Sequence, residues 1–386
     1  MSKGHIRQRG EKSWAIKIDI GANPVTGKRR SKWHTVHGTK RDAEKECRRL
    51  LTQLDNEKYI EPSKLTVAAY LTQWLNDSAR HGVSPKTYER YAEIVNKHLI
   101  PSLGAHLLRK LSPLHIQACY SQALDSGRRN SKGGLSALTV KHHHRVLKAA
   151  LRQAVRWQLL VTNPVDAVDA PRPVRKEMRI LDQADSAKLL RSIAHTQVYI
   201  PVLLAVTTGM RRGEILALRW RDVDLDAGRL QVVRTLEQTR TTLNFKEPKT
   251  DRSRRTITLP SYAIEELREH WKQQAELRLT LGLGKDPESL VVCRLDGQPL
   301  QPRSLTHEFS RMIARVGVRR IRFHDLRHTH LSHLLAAGVN PKVASERAGH
   351  ASVAITLDVY SHVLPGLQED VAKQVDVALR KALDAK

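Results

Sequence analysis

At 386 residues the chain is longer than one ordinary hydrophobic core organises, so two or three domains are expected. A formal net charge of +27 and a pI near 10.3 are far from those of an enzyme of small metabolites and point to a polyanionic partner, nucleic acid ahead of a membrane surface. No apolar run approaches the roughly 20 residues that span a bilayer, and Met1–Gly10 is polar with no apolar signal core, so no membrane partner and a cytoplasmic location are expected.

Hydrophobic residues make up 40% of the chain, enough for folded domains instead of a basic disordered tail. Cys47, Cys119 and Cys293 lie far apart with no C-x-x-C pair, which argues against a disulfide framework or a Cys-rich zinc site. Aromatics are only 4%, so Arg and Lys contacts to the backbone of duplex DNA suit the composition better than base stacking.

The first segment, 1–64, opens with alternation: Trp14, Ile16, Ile18 and Ile20 point one way, Lys17 and Asp19 the other, as in a half-buried strand. Asn23-Pro24 and Thr26-Gly27 supply a turn, and a second strand is expected around Lys32–His37. Thr39 with Asp42 resembles a capping box, after which Ala43, Cys47, Leu50, Leu51 and Leu54 keep one helix face apolar. A β-ribbon carrying Lys28, Arg29, Arg30 and Lys32 fits a DNA major groove; the alternative is a solvated charged hairpin.

The second segment, 65–170, reads as all helix. Ser84-Pro85 and Ser112-Pro113 mark helix starts with proline at the first helical position, and Pro101 with Gly104 interrupts. A long helix from about Ser136 to Leu160 buries Val140, Leu147, Ala150, Leu151, Ala154 and Val155, with Asn163-Pro164 expected to end it. His142, His143 and His144 fan out by about 100° each on a helix, so they cannot share one ion; a polar helix face is the expectation. The stretch 171–179, with two prolines and several basic residues, has linker composition.

From about Ile180 the pattern is mixed, mostly helical, with strands expected at Arg229–Thr235 and Arg254–Pro260 around a Thr/Lys/Arg-rich hairpin. Four local strings stand out. Thr208-Gly209-Met210-Arg211-Arg212-Gly213-Glu214 puts an arginine straight after a glycine turn. Pro248-Lys249-Thr250 precedes Arg254-Arg255-Thr256-Ile257. His324-Asp325-Leu326-Arg327-His328-Thr329 opens a helix with His324 and Arg327 on one face. Gly349-His350 is followed by Thr356-Leu357-Asp358-Val359-Tyr360-Ser361-His362.

Each string alone is weak. Taken in order, Arg211, Lys249, His324, Arg327, His350 and Tyr360 with these flanks resemble the signature of the tyrosine recombinases, the phage integrase family. The front segment resembles an arm-type DNA-binding domain, and the middle segment a helical core-DNA-binding domain. The resemblance implies a multidomain α+β protein. It would have a small β-ribbon/helix N-terminal domain (1–64), an all-α core-binding domain (65–170) and a linker (171–179). A mostly α catalytic domain with a small antiparallel β-sheet (180–365) and a C-terminal helical tail (366–386) would follow.

The chemistry of the residues agrees with that resemblance. A phosphodiester gathers charge on its non-bridging oxygens in the transition state, and Arg211 and Arg327 offer planar, permanently charged forks for them, each on the scale of about 10²–10³ in rate. Tyr360 as nucleophile would store the bond energy in a 3′-phosphotyrosyl link, so neither metal, ATP nor any other cofactor is expected. A phenol titrates near pH 10, so a base must help. The resemblance assigns that to His324, gives Lys249 the protonation of the leaving 5′-oxygen, and has His350 hydrogen-bond the phosphate. Glu214 would fix Arg211. Arg212 turns about 100° away from Arg211 and reads as structural. His328, His330 and His333 near His324 lack the acidic ligands and spacing of a metal site.

The expected partners are double-stranded DNA attachment sites and three further copies of the chain on DNA, with a monomer as the free state. A host DNA-bending protein and an excision factor are further candidates. Val371, Val375, Ala378, Leu379 and Ala382 form a stripe that either packs on its own domain or docks on a neighbouring protomer. Three other readings compete: a nicking-closing type IB topoisomerase, a non-catalytic DNA-binding regulator, and a metal-dependent nuclease. The last lacks the paired carboxylates of two-metal chemistry.

Overall fold

The computed structural model describes residues 4–22, 27–55, 64–128, 133–174, 178–247, 254–284, 286–360 and 367–384, with the backbone alone at 22, 358–360, 367–371, 374 and 378. The chain forms two compact units, 1–175 and 176–386. Among the described residues no helix is long and apolar enough to cross a membrane.

The first unit begins with three strands, β1 (Gly4–Gly10), β2 (Ser13–Ala22) and β3 (Arg29–His37), in an antiparallel sheet with β2 in the centre. Two strands were expected. The additional one, β1, carries a single large apolar residue, Ile6, which pairs with Ile16, so its pattern is too thin to read without its partner. The β2 alternation holds: Ile16 and Ile18 are fully buried, with Cys47 and Leu50 of helix α1 (Lys40–Asp55) in the same cluster. The start of α1 is a reciprocal cap, the Thr39 N–H donating to Asp42 Oδ2 at 2.9 Å and the Asp42 N–H to Thr39 Oγ1 at 3.3 Å.

The other face of this sheet is basic and open. Register places His5, Lys17 and Trp33 in one row across the three strands, and Arg9 and Lys17 lie 5.6 and 5.8 Å from the centroid of the exposed Trp33 ring. Lys28, Arg29 and Arg30 are exposed at the start of β3. Lys32 is paired with Ile18 and therefore lies on the side of the sheet that packs against α1, half-buried. The four basic residues thus do not share one face. The Asn23-Pro24 turn lies outside the described residues.

The rest of this unit is helical: α2 (Val67–Trp74), α3 (Arg80–Gly82), α4 (Pro85–Ile94), α5 (Ile100–Leu103), α6 (Pro113–Ser126) and α7 (Ala137–Arg156). Prolines 85 and 113 stand at first helical positions, and Ser112 with His115 forms a capping box. Tyr70, Leu71, Leu99, Ile116, Tyr120, Leu147 and Leu151 build the core, and the Tyr70 hydroxyl donates to the Ala150 carbonyl at 2.5 Å.

The structure differs from expectation at two places in this unit. The long helix stops at Arg156, where Gln158 takes a left-handed backbone (φ 57), while Asn163 caps a separate short turn, Pro164–Ala167. His142–His144 is no polar face either: His143 and His144 are buried, His143 tilted against His98 at 4.6 Å between centroids and His144 beside the Tyr120 hydroxyl at 3.4 Å. Burial lowers the pKa of His143 to about 4, so it sits in the core as a neutral ring.

The second unit contains α8 (Gln183–Ser192), α9 (Tyr199–Thr208) and the four-residue α10 (Arg212–Ile215). Strands β4 (Val223–Asp224), β5 (Arg229–Val232) and β8 (Arg255–Thr258) form one antiparallel sheet, and β6 (Thr235–Gln238) with β7 (Leu243–Lys246) a second. The expected strand 229–235 is therefore split, and the hairpin carries its own two-stranded ladder. Then come α11 (Ser261–Thr280), α12 (Pro302–Val316), α13 (Asp325–Ala336), α14 (Pro341–Ala348), α15 (Val353–Tyr360) and α16 (Leu367–Leu383). Leu203, Leu204, Ile215, Leu216, Phe309, Phe323 and Leu326 form the core, each worth about 1.5–3 kcal/mol against exposure. On α16, Val375, Val377, Leu379 and Leu383 are exposed.

Candidate active site

Helix α9 is apolar nearly all round, so it runs through the core and must end abruptly to deliver a polar group. Gly209 does this in a left-handed conformation (φ 67), its N–H donating to the Ala205 carbonyl. A Cβ at this position would come within 2.7 Å of the His330 ring, so glycine meets both the backbone and the packing requirement. Two residues later Arg211 stands at the N-cap of α10 with its side chain 39% exposed.

Arg211 is held at three points. Its N–H donates to Glu214 Oε2 at 2.9 Å, Nη1 to Glu214 Oε1 at 2.7 Å, and Nη2 to the Gly349 carbonyl at 2.7 Å. Glu214 is 5% exposed and also receives Arg255 from β8, whose Nη2 reaches Oε2 at 2.8 Å and Nη1 reaches Oε1 at 3.3 Å. Burial pushes the Glu214 pKa up, but the Arg255 hydrogen bonds and the charges of Arg255 and Arg211 outweigh it and hold it below the usual carboxylate range. Glu214 thus accepts from two arginines at once.

Arg327, 3% exposed, rises from the first turn of α13 and donates Nη1 to the Gly209 carbonyl at 2.7 Å. That carbonyl belongs to the turn that presents Arg211. His324 stands at the N-cap of the same helix, its ring edge-on to His328 with 5.1 Å between centroids. Asp325 orders the approach by accepting from the Arg322 N–H at 2.7 Å and from its guanidinium at 2.8 and 3.1 Å. Burial and then the charges of Arg327, Arg322 and Arg211 lower the His324 pKa, the Asp325 carboxylate opposing them, so its imidazole is neutral near pH 7.

His350 follows the left-handed Gly349 (φ 65) that ends α14. Its Nδ1 lies 2.8 Å from the Thr356 hydroxyl, one turn before Tyr360 at the end of α15. Burial, followed by the charges of Arg327 and Arg211, lowers its pKa to about 4. His324 and His350 thus lie in the field of the same two arginines. The structure brings together Arg211, Glu214, His324, Arg327 and His350. It places the backbone of Tyr360, and Lys249 lies outside the described residues.

Other candidates have structural tasks. Arg212 donates to the Thr306 hydroxyl on α12. His333 Nε2 lies 3.0 Å from the Leu181 carbonyl. His330 Nδ1 is 2.8 Å from the Val206 carbonyl, while its Nε2 receives Arg347 Nε at 3.1 Å. Arg255 and Arg347 received no role from the sequence. Arg255 had one legible signal, since it shares a face of β8 with the buried Ile257 and an arginine on the apolar side of a strand needs a partner.

Residues 176–366 match the phage integrase family, and residues 66–124 match the phage integrase N-terminal SAM-like domain. The chain is 26% identical to a XerC-like tyrosine recombinase of Caldanaerobacter subterraneus subsp. tengcongensis, covering 94% of this chain and 95% of that one. It is 25% identical to the ICEBs1 integrase of Bacillus subtilis, covering 94% and 96%. Its fold is similar to that of the Tn1549 transposon integrase in complex with transposon right end DNA (TM-score 0.67, 20% identity, 81% of this chain and 100% of that one). It is also similar to that of a lambda integrase tetramer bound to a Holliday junction (TM-score 0.56, 20% identity, 92% and 94%). With both arginines, both histidines and the terminal helix tyrosine carried on matching segments, the chain belongs to the phage integrase family of tyrosine recombinases, enzymes that cleave and rejoin DNA.

Proposed function

We propose that this chain is the site-specific recombinase of a phage or other mobile element, and that Tyr360 is its nucleophile. The observation that carries the reading is the convergence of Arg211 and Arg327 on one turn, with His324 and His350 both under their charge. Such an arrangement binds a phosphodiester and stabilises the charge its transition state develops.

In the proposed step the Tyr360 oxygen attacks the scissile phosphorus, and the bond from phosphorus to the 5′-oxygen breaks. His324, neutral near pH 7, takes the phenolic proton, and Lys249 returns one to the departing 5′-oxygen. With Nδ1 engaged by Thr356, His350 has Nε2 to offer the phosphate. The 3′-phosphotyrosyl link holds the bond energy until a 5′-hydroxyl reverses the step, so no cofactor is required.

The substrate would be pairs of double-stranded attachment sites, gripped by four protomers, with 1–64 on arm sites and 65–170 and 180–365, joined by 171–179, on the core site. The basic outer face of the β1–β3 sheet supports the first assignment. The exposed apolar residues of α16 support docking of the 366–386 tail on a neighbouring protomer. A host bending protein and an excision factor are the accessory partners this assembly would use, and the cytoplasm is where it would meet its DNA.

The test is cleavage of a suicide duplex bearing the core site, in EDTA and without ATP, by wild type and Tyr360→Phe. A covalent adduct at a 3′-phosphate with wild type alone is expected. Tight binding by both proteins with no adduct from either would leave a DNA-binding regulator as the better reading.

A further inference from the structure

We propose that Arg255 is a positioning residue of the cleavage reaction, acting from β8 on Arg211 and on the turn that carries His350. The inference deepens the reading above and rests on its assignment of Arg211, His350 and Tyr360.

The geometry makes Glu214 a shared hub. Its two oxygens accept four hydrogen bonds, two from Arg211 and two from Arg255, which is the full capacity of a carboxylate. The three groups together carry one net positive charge. Arg255, only 7% exposed, neutralises the carboxylate, while Arg211, 39% exposed, keeps its charge for an incoming phosphate. Without Arg255 the buried carboxylate has Arg211 as its remaining charged partner, and the charge meant for the phosphate is spent inside the protein.

Arg255 has a second hold. Its Nε donates to the Arg347 carbonyl at 2.8 Å, while Arg211 Nη2 takes the Gly349 carbonyl at 2.7 Å. Two exposed-end carbonyls of α14 are thereby tied to the two arginines that share Glu214. Gly349 leaves just enough space, since a Cβ there would lie 3.0 Å from Arg255 Nη1. The residue after that turn is His350, bonded to α15 through Thr356. Arg255 therefore links the strand following the 248–253 segment, which contains Lys249, to both the arginine clamp and the helix that ends in Tyr360.

The experiment measures single-turnover cleavage of the suicide duplex at saturating protein for wild type, Arg255→Met, Arg255→Lys, Arg211→Lys and the Arg211→Lys/Arg255→Met double variant. Arg229→Ala, which removes an exposed charge from the neighbouring strand, serves as control. Arg255→Met should cleave about 100-fold more slowly, the usual cost of a clamp displaced by about 1 Å. DNA affinity should stay within about 3-fold of wild type, because many phosphate contacts set it. Arg255→Lys keeps the charge but not the fork and should recover only part of the loss. The double variant should be little slower than Arg211→Lys alone, because both changes disable one clamp.

Wild-type cleavage by Arg255→Met overturns the inference, as do losses that multiply in the double variant or a lysine no better than methionine. If Arg255→Met does not fold, Arg255→Lys carries the test: cleavage at least 3-fold slower than wild type with unchanged DNA affinity supports the inference, and wild-type cleavage overturns it. A wild-type chain that forms no adduct overturns the Tyr360 reading and this inference with it. A wild-type adduct with unimpaired Arg255 variants overturns this inference alone.

Discussion

Arg347 donates its Nε hydrogen to Nε2 of His330 at 3.1 Å, and that bond dictates the state of a buried imidazole. With Nε2 accepting, the remaining proton sits on Nδ1, which points to the Val206 carbonyl at 2.8 Å. His330 is 6% exposed, and burial together with the Arg347 charge lowers its pKa to about 4. Protonation would set two cations against each other beneath Gly209, the residue that turns the chain towards Arg211.

Stability of the second unit is therefore expected to fall with acidity. The folded pKa of His330 lies below its unfolded value of about 6.5, so the unfolded chain binds the extra proton first. The contribution is complete above about pH 6.5 and is lost as pH drops towards 4, at up to about 1.4 kcal/mol per pH unit for one such group. His328 and His350, also lowered to about 4, add in the same direction. Urea melts at pH 7.5 and pH 5.5 should show a lower midpoint in acid, with a shallower dependence in His330→Gln. Equal midpoints would mean that these rings are not buried neutral.

Glycines that share a backbone conformation should differ in consequence. Gly209 and Gly338 both have positive φ (67° and 77°), but a Cβ at Gly338 meets nothing within 4 Å, while one at Gly209 would strike His330. Gly338→Ala should cost about 1–2 kcal/mol from the left-handed backbone alone. Gly209→Ala should cost about 2–5 kcal/mol, because the clash adds to the strain. Thermal unfolding of the two variants decides this, and a cost at Gly209 no greater than at Gly338 would show that His330 moves aside freely.

DNA binding by the front sheet should discriminate between its faces. Replacing Lys17 by alanine should reduce the salt dependence of arm-site binding by about one phosphate contact, and replacing Lys28 and Arg29 together by up to about two. Lys32→Ala should leave the slope unchanged, because Lys32 lies on the α1 side with Ile18. Titrations between low and moderate salt measure all three. A loss from Lys32→Ala equal to that from Lys17→Ala would place the DNA on the wrong side of this sheet.

Much of this protein was legible from residue order alone, for reasons of period and chemistry. Alternation at Ile16 and Ile18, prolines at helix starts and the Thr39–Asp42 cap are local rules, and local rules survive without tertiary context. Arg211, His324, Arg327 and His350, the proposed phosphate-binding set, stood out through the resemblance of their order and flanking strings to a family signature. Strand β1 was not, since one apolar residue in seven carries no period until Ile16 pairs with it. Only the folded chain decided which arginines share Glu214. Arg211, Arg255 and the carbonyls of α14 are distant in sequence, and a buried carboxylate takes as partners whatever cations the packing delivers. The same holds for His143 and His330: composition makes them polar, and burial, which strips a charged ring of its solvation, makes them neutral parts of the core.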